Sequence, residues 1–362
     1  MRYQFRSLTR ISRFVLAGPA LGLVLGLAVA APAFAQVTGG TDLALFAPEG
    51  WTVPRLADGR PDLQGIWTNK SVTPFERPEQ LGDKAFFTQE EAAEFVARAQ
   101  GSGDRDVRSD DVRDVLNAYN DFWWDSGDVV LPNLRTSIVV DPANGRIPPL
   151  TSARQAALAA ERAAIEARCR EPGCAIANSG TPAPAHDPEV LDLMTRCISF
   201  GTVVPMLSTA YNNNYQIVQT DGMLAIDTEM VHQVRRIPTD GRPALPAHVR
   251  QWFGDSRGRW EGDTLVVETA NFKGEFFGRM SAADENLRVV EYFTRVGPDI
   301  LLYQFTVDDP TAWTGAWSGE IPLVRSDGLL YEYACHEGNR GMENILRAAR
   351  REMSDAGQSA SQ

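Results

Sequence analysis

From Tyr211 onward, apolar residues tend to recur at every second position in short runs. That is the period of a β-strand with one buried face. The runs are Tyr215–Thr220, Met223–Met230, His232–Pro238, Thr264–Ala270, Leu287–Arg295, Ile300–Val307, Gly319–Arg325 and Leu329–Cys335. Turn pairs separate many of them, at Asp221-Gly222, Asp240-Gly241, Gly262-Asp263, Gly297-Pro298-Asp299 and Asp327-Gly328. Breaks this short join antiparallel neighbours, because parallel strands need long crossovers. About eight strands in series predict a mainly β fold, an antiparallel meander that closes into a barrel or a strongly curved sheet.

The first half is more mixed. Residues 36–60 read as an exposed lead-in, and Asp62–Trp67 opens a first strand. Thr88-Gln89-Glu90-Glu91 is a capping box in front of a helix reaching about Ala99. Residues 101–115 form a charged loop, and Phe122-Trp123-Trp124 is a dense aromatic cluster. Leu134–Val140 reads as a strand ended by the turn Asp141-Pro142-Ala143-Asn144-Gly145, Thr151–Arg168 as a helix, and residues 171–189 as a loop rich in Pro, Gly and Ser. A last helix runs near Met342–Met353. The helices are peripheral, and residues 61–200 and 201–340 form one domain, followed by a C-terminal helix and tail over 341–362.

The N-terminus sets the compartment. Arg2, Arg6, Arg10 and Arg13 precede an apolar stretch from Phe14 to Ala31, and Ala33-Phe34-Ala35 gives a small-x-small cleavage box before Gln36. This is the pattern of a secretory signal peptide over residues 1–35. A retained membrane anchor is the competing reading, opposed by Gly18-Pro19 and the cleavage box. The expected location is periplasmic or secreted, with no membrane insertion after signal removal. The formal charge of −12 becomes −16 once the four arginines leave, so nucleic acid is not an expected partner. Cys169, Cys174, Cys197 and Cys335 are an even set in an exported chain and imply two disulfides, with three connectivities open. A zinc site fits their spacing poorly. No phosphate loop, H-E-x-x-H helix or C-x-x-C-H site occurs, so no cofactor is expected.

Candidate chemistry lies in the strand-rich half. Read as a regular strand, Leu224, Ile226, Thr228 and Met230 share one face and Asp227 and Glu229 the other, with His232 falling on the apolar side. An imidazole near a carboxylate suits general acid–base work. Glu291 shares its face with Leu287, Val289 and Phe293, so parity sends it into an apolar interior. There it is either held neutral for chemistry or paired with a buried arginine such as Arg259 or Arg295. His336 and Glu337 adjoin Cys335 at an expected strand end. Arg235 and Arg236 suit a ligand carboxylate or phosphate, or structural bridges to Asp227 or Glu229. Trp67, Tyr211, Tyr215, Trp252 and Trp260 line an apolar pocket or fill the core. Ser256 has no strand-to-helix elbow around it, which speaks against a serine hydrolase, and Asp255 and Ser256 read as turn caps.

Several stretches carry a resemblance. They are Pro61–Trp67, Tyr211–Thr220, Gly254–Thr269 with its Trp260-Glu261-Gly262-Asp263 hairpin, Thr306–Pro310 and Tyr333–Asn339. Together they resemble a family of secreted proteins of sphingomonads and acidobacteria without an established chemistry. Gly65-x-Trp67 is similar to the opening motif of lipocalin-type barrels, where the Trp plugs one end, and this implies a lipocalin-like barrel. The expected function is a cofactor-independent lyase, isomerase or hydrolase acting on a small hydrophobic molecule, aromatic or terpenoid. His232, Glu229, Glu291 and His336 would be its acids and bases, and Trp67, Tyr211, Tyr215, Arg236, Trp252 and Trp260 its binding residues. The alternatives are a non-catalytic carrier of lipocalin type and a structural envelope protein. An enzyme requires His and carboxylate groups to converge in a pocket; a carrier requires a mostly apolar cavity with isolated polar groups.

Overall fold

The structure is a computed structural model that describes residues 46–103, 127–176, 182–185, 187–200, 203–209, 211, 213–231, 233–276 and 278–360. The signal segment, Phe122-Trp123-Trp124, His186 and His232 lie outside the described residues. The described part belongs to one compact unit, Gln36–Gln362.

The fold is mainly antiparallel β, as the alternation predicts. The strands are β1 (Gly65–Thr68), β2 (Val139–Asp141), β3 (Cys174–Ile176), β4 (Pro182–Pro184), β5 (Asn214–Thr220), β6 (Met223–Thr228), β7 (Gln233–Pro238), β8 (Asp255–Glu261), β9 (Thr264–Ala270), β10 (Arg288–Arg295), β11 (Ile300–Asp308) and β12 (Trp317–Arg325). The main sheet runs β7-β6-β5-β1-β12-β11-β10-β9-β8, with β2 joined to β12. It curls into a nearly closed barrel. Every neighbouring pair is antiparallel. Two meanders, β5–β7 and β8–β12, are therefore sewn together by the first strand.

The inward faces follow the two-residue period. Ile217, Leu224, Ile237, Leu265, Val267, Phe293, Phe305, Trp317, Ile321 and Leu323 form one continuous buried core. The packing is close: a Cβ on Gly319 would lie 2.2 Å from the Phe305 ring. Burial of this kind contributes about 25 cal/mol per Å² of apolar surface and is the main stabilising term. The segment Val203–Leu207 also enters the core, with Val203, Val204, Met206 and Leu207 all buried. It acts as a plug, so the barrel interior is filled.

Helices are peripheral. α1 (Gln89–Gly103) starts at the expected capping box, with Glu91 N donating to Thr88 Oγ1 (3.2 Å) and Thr88 N to Glu91 Oε2 (2.8 Å). α2 (Ser152–Arg168) is capped by Thr151, which accepts from Arg154 N. A short α3 (Cys335–Gly338) precedes α4 (Arg340–Ala360), whose Leu346 and Ala349 pack on Ala185 and Leu191. No helix among the described residues is long and apolar enough to cross a membrane. The disulfides are Cys169–Cys174 and Cys197–Cys335. They point to an oxidising compartment.

Three expectations are corrected. The run Met223–Met230 ends as a strand at Thr228, and Val231 adopts a positive φ of 56° in the turn to β7, so no single strand carries Asp227 through His232. Leu329–Cys335 pairs with no strand: Leu329 and Tyr331 stand exposed before α3. Most of Leu134–Val140 is irregular: its strand is Val139–Asp141, and Arg135 makes an isolated bridge to Phe86. Conversely, Asp255–Glu261 is a full strand despite its weak alternation.

Candidate functional site

Nine strands that alternate in direction leave the two ends of the sheet running the same way. β7 and β8 therefore meet as parallel strands, and no backbone ladder joins them. Side chains close the seam instead. Ile237 and Thr239 approach the Cα of Gly258 so tightly that a Cβ there would lie 3.0 and 2.9 Å from their methyl carbons. Parallel neighbours need a long crossover, here the chain from Thr239 to Gly254, which stands away from the barrel as an outer wall.

Between this wall and β7 lies an open cleft of about 800 Å³, within the range of small-molecule sites. Its apolar lining includes Met223, Val234, Leu245, Trp252 and Phe253, and its polar lining Arg235, Arg236, Arg242, Arg250, Asp255 and Arg257. Most of these arginines are committed. Arg242 pairs with Asp240, Arg257 with Asp255, and Arg250 Nε lies 3.4 Å from Glu285. Arg236 is exposed and has no hydrogen-bond or ion-pair partner among the described residues. The Trp252 ring is flanked by Lys273 Nζ at 3.7 Å and the Arg196 guanidinium at 5.3 Å from its centroid.

The floor of the cleft is a buried polar network. Arg235 Nη1 donates to Glu291 Oε1 (2.8 Å) and Nη2 to Glu291 Oε2, a two-point fork. Arg235 also donates to Ser256 Oγ (3.0 Å) and Thr269 Oγ1 (2.7 Å). Tyr303 OH donates to Glu291 Oε1 (2.9 Å) and accepts from Met206 N (3.0 Å). Burial works against the charge on Arg235, but Glu291 outweighs it and the guanidinium titrates above its ordinary value. Burial, then the Glu291 charge, holds the Tyr303 phenol well above its usual range, so it stays a donor. The network thus satisfies the backbone N–H of the plug, which would otherwise be an orphan donor in the core.

Among the described residues the sequence candidates do not converge, and His232 lies outside them. Glu291 is fully buried, as parity predicts, but its partner is Arg235, not Arg259 or Arg295. Arg259 pairs on the outer face with Glu261 and Glu268, and Arg295 donates to the carbonyls of Asp62 and Pro298. Glu229 lies in the β6–β7 turn, where Oε2 accepts from Asn214 Nδ2 (3.0 Å). His336 is exposed on α3, not at a strand end, and neither group reaches Glu291. Ser256 is a strand residue inside the network rather than a turn cap.

Of the aromatic candidates, Trp252 lines the cleft together with Arg236. Trp67 and Tyr215 are core residues. Trp67 Nε1 donates to Leu63 O, and the Arg325 guanidinium lies 4.7 Å from its ring centroid. The Tyr215 hydroxyl accepts from Asn69 Nδ2 (3.2 Å), and burial raises its titration further above the usual phenol range. Trp260 packs against the core from β8, and Tyr211 stands edge-on to Phe200 at 5.9 Å. The sequence reading missed Glu320, a second buried carboxylate, held by Arg135 Nε (3.0 Å), Asn133 Nδ2 and Gln304 Nε2. Its signal was available: Glu320 stands between Gly319 and Ile321 in a strand buried on both faces.

Among the described residues no group of three or more His, Cys, Asp or Glu is placed to hold a metal ion. The cleft can cradle an apolar body beside the Arg236 guanidinium; among the described residues its one lining carboxylate, Asp255, is bound to Arg257 and Leu245 N. Compared with known families and with curated proteins, the chain matches no family model and no curated sequence at a significant level.

Proposed function

We propose that the protein is a non-catalytic binding protein for a small amphipathic molecule, working outside the cytoplasm. The ligand's apolar body lies in the seam cleft against Trp252, Phe253, Leu245 and Val234, and its anionic end faces Arg236. The observation that supports this reading is that Val234, Leu245, Trp252 and Phe253 share the cleft lining with Arg236, the one lining arginine whose guanidinium has no partner among the described residues, so an apolar body and a single anionic end can both be met there. The acid–base reading finds less support, because Glu291 is spent on Arg235 and Tyr303. The basic and apolar N-terminal segment and the two disulfides favour an exported, periplasmic or secreted protein.

Calorimetric titration with dodecanoate and with dodecanol tests the proposal. Dodecanoate binds at a single saturable site, Arg236→Gln weakens it about tenfold and leaves dodecanol unaffected, and Trp252→Ala weakens both. Absence of saturable binding by either probe, or binding that neither substitution alters, overturns it.

A further inference from the structure

Four polar side chains stand side by side at one level of the barrel interior. The register sets Tyr215 of β5 opposite Thr228 of β6, and Thr228 opposite Gln233 of β7. Asn69, just beyond β1, completes the row by donating to the Tyr215 hydroxyl and to Met206 O (3.0 Å). Asn69 and Thr228 are 0% and 1% exposed. Yet Asn69 Oδ1, Thr228 Oγ1 and both ends of the Gln233 amide are shut off from solvent without a hydrogen-bond partner. The Tyr215 hydroxyl accepts from Asn69 and still has its own proton to give.

Each orphaned polar group in a core costs a sizeable fraction of a domain's net stability, and several in one row are not tolerated without partners. The register says what size of partner fits. Opposed residues of an antiparallel ladder hold their Cβ atoms about 5 Å apart. Here no direct bond joins Thr228 to Gln233, while one oxygen between them is within reach of both. Polarity says what kind. The row offers donors from Tyr215, Thr228 and Gln233 and acceptors from Asn69 and Gln233, all uncharged. The buried charges of Arg235 and Glu291 neutralise each other, and half-buried Glu229, whose charge acts on Tyr215, accepts from Asn214.

We infer that Asn69, Tyr215, Thr228 and Gln233 form a buried binding site for one neutral hydroxyl group, that of an ordered water. The site is distinct from the seam cleft and does not depend on the carrier reading. Its occupant both donates and accepts, bridging the β6–β7 hairpin to the Met206 plug through Asn69. Water needs two to four polar partners to be held in a core, and the row supplies them.

Thermal melts of Thr228→Val and Gln233→Leu, with diffraction to about 1.5 Å, test the site. Both substitutions are close in volume to the native side chains. Each lowers the melting temperature by several degrees, and the native density shows an oxygen bridging Thr228 and Gln233. Variants that melt at or above the native protein, or density with no bridging atom, overturn the inference.

Discussion

Replacing Arg235 with Met removes the guanidinium that joins β7 to β8, β9 and β10. It also leaves Glu291 charged in the core, with Tyr303 as its one remaining partner among those bonds. Removing one member of a buried pair costs about 3–5 kcal/mol, because the other charge stays desolvated. An unfolding entropy of about 2.1 cal/mol/K per residue over roughly 300 ordered residues gives about 0.6 kcal/mol/K. A loss of about 4 kcal/mol therefore lowers the melting temperature by about 6 °C. Urea denaturation followed by tryptophan fluorescence, with disulfides oxidised, measures the loss directly. The double variant Arg235→Met/Glu291→Leu decides its origin. Removing both charges abolishes the stranded carboxylate, so the double variant recovers about half of the loss or more, Tyr303 having lost its acceptor. The reasoning fails if Arg235→Met costs less than about 1 kcal/mol, or if the double variant is no more stable than the single one.

Two further outcomes follow from the same geometry. The chain-entropy relation assigns about 5 kcal/mol to the Cys197–Cys335 link, which spans 138 residues, and about 2 kcal/mol to Cys169–Cys174, which spans 5. Paired Ser substitutions should therefore lower the urea midpoint far more at the first site than at the second, and equal losses would contradict the assignment. In the turn after β7, the Arg242 side chain, and secondarily its backbone N–H, hold the exposed Asp240 carboxyl down at about 2 from an ordinary 3.8. Because the folded value is depressed, the stabilisation from this pair is complete above about pH 4 and lost as pH falls through about 2. A carboxyl-carbon NMR titration should place the Asp240 midpoint there, and Arg242→Gln should return it towards 3.8.

What the sequence makes legible is what period two can carry. Leu287, Val289 and Phe293 put Glu291 inside because β10 is regular, and the capping box at Thr88 needs only its own four residues. Spacing does not carry the choice of partner. Arg235 is 56 residues before Glu291 and reaches it only because the curled sheet brings its two ends together. The β6–β7 turn escapes notice because a β-branched residue, Val231, takes a positive φ that composition does not forecast. Leu329–Cys335 alternates like a strand but pairs with none, and alternation without a neighbour does not make a sheet. Trp67 and Tyr215 look like pocket residues in a list of aromatics, yet the core takes them because the barrel is packed solid.

That solid interior decides where a ligand can go. A barrel of lipocalin type that keeps its lumen open binds inside; here Met206, Leu207, Trp317 and Phe305 occupy that space. The remaining concavity comes from strand parity. An even number of alternating strands closes with an antiparallel pair, which a two-residue hairpin can join. With nine strands the closing pair is parallel and its crossover must be long. Arg235, Ile237 and Thr239 already fill the seam, and the crossover stands off it, leaving a cleft whose floor is the seam itself. The Arg235–Glu291 network then has two tasks: it replaces the missing ladder between β7 and β8, and it gives the cleft a rigid floor. For the amphipathic ligand we propose, that floor offers a guanidinium with its charge already answered, which leaves Arg236 at the rim as the group to face an anionic end.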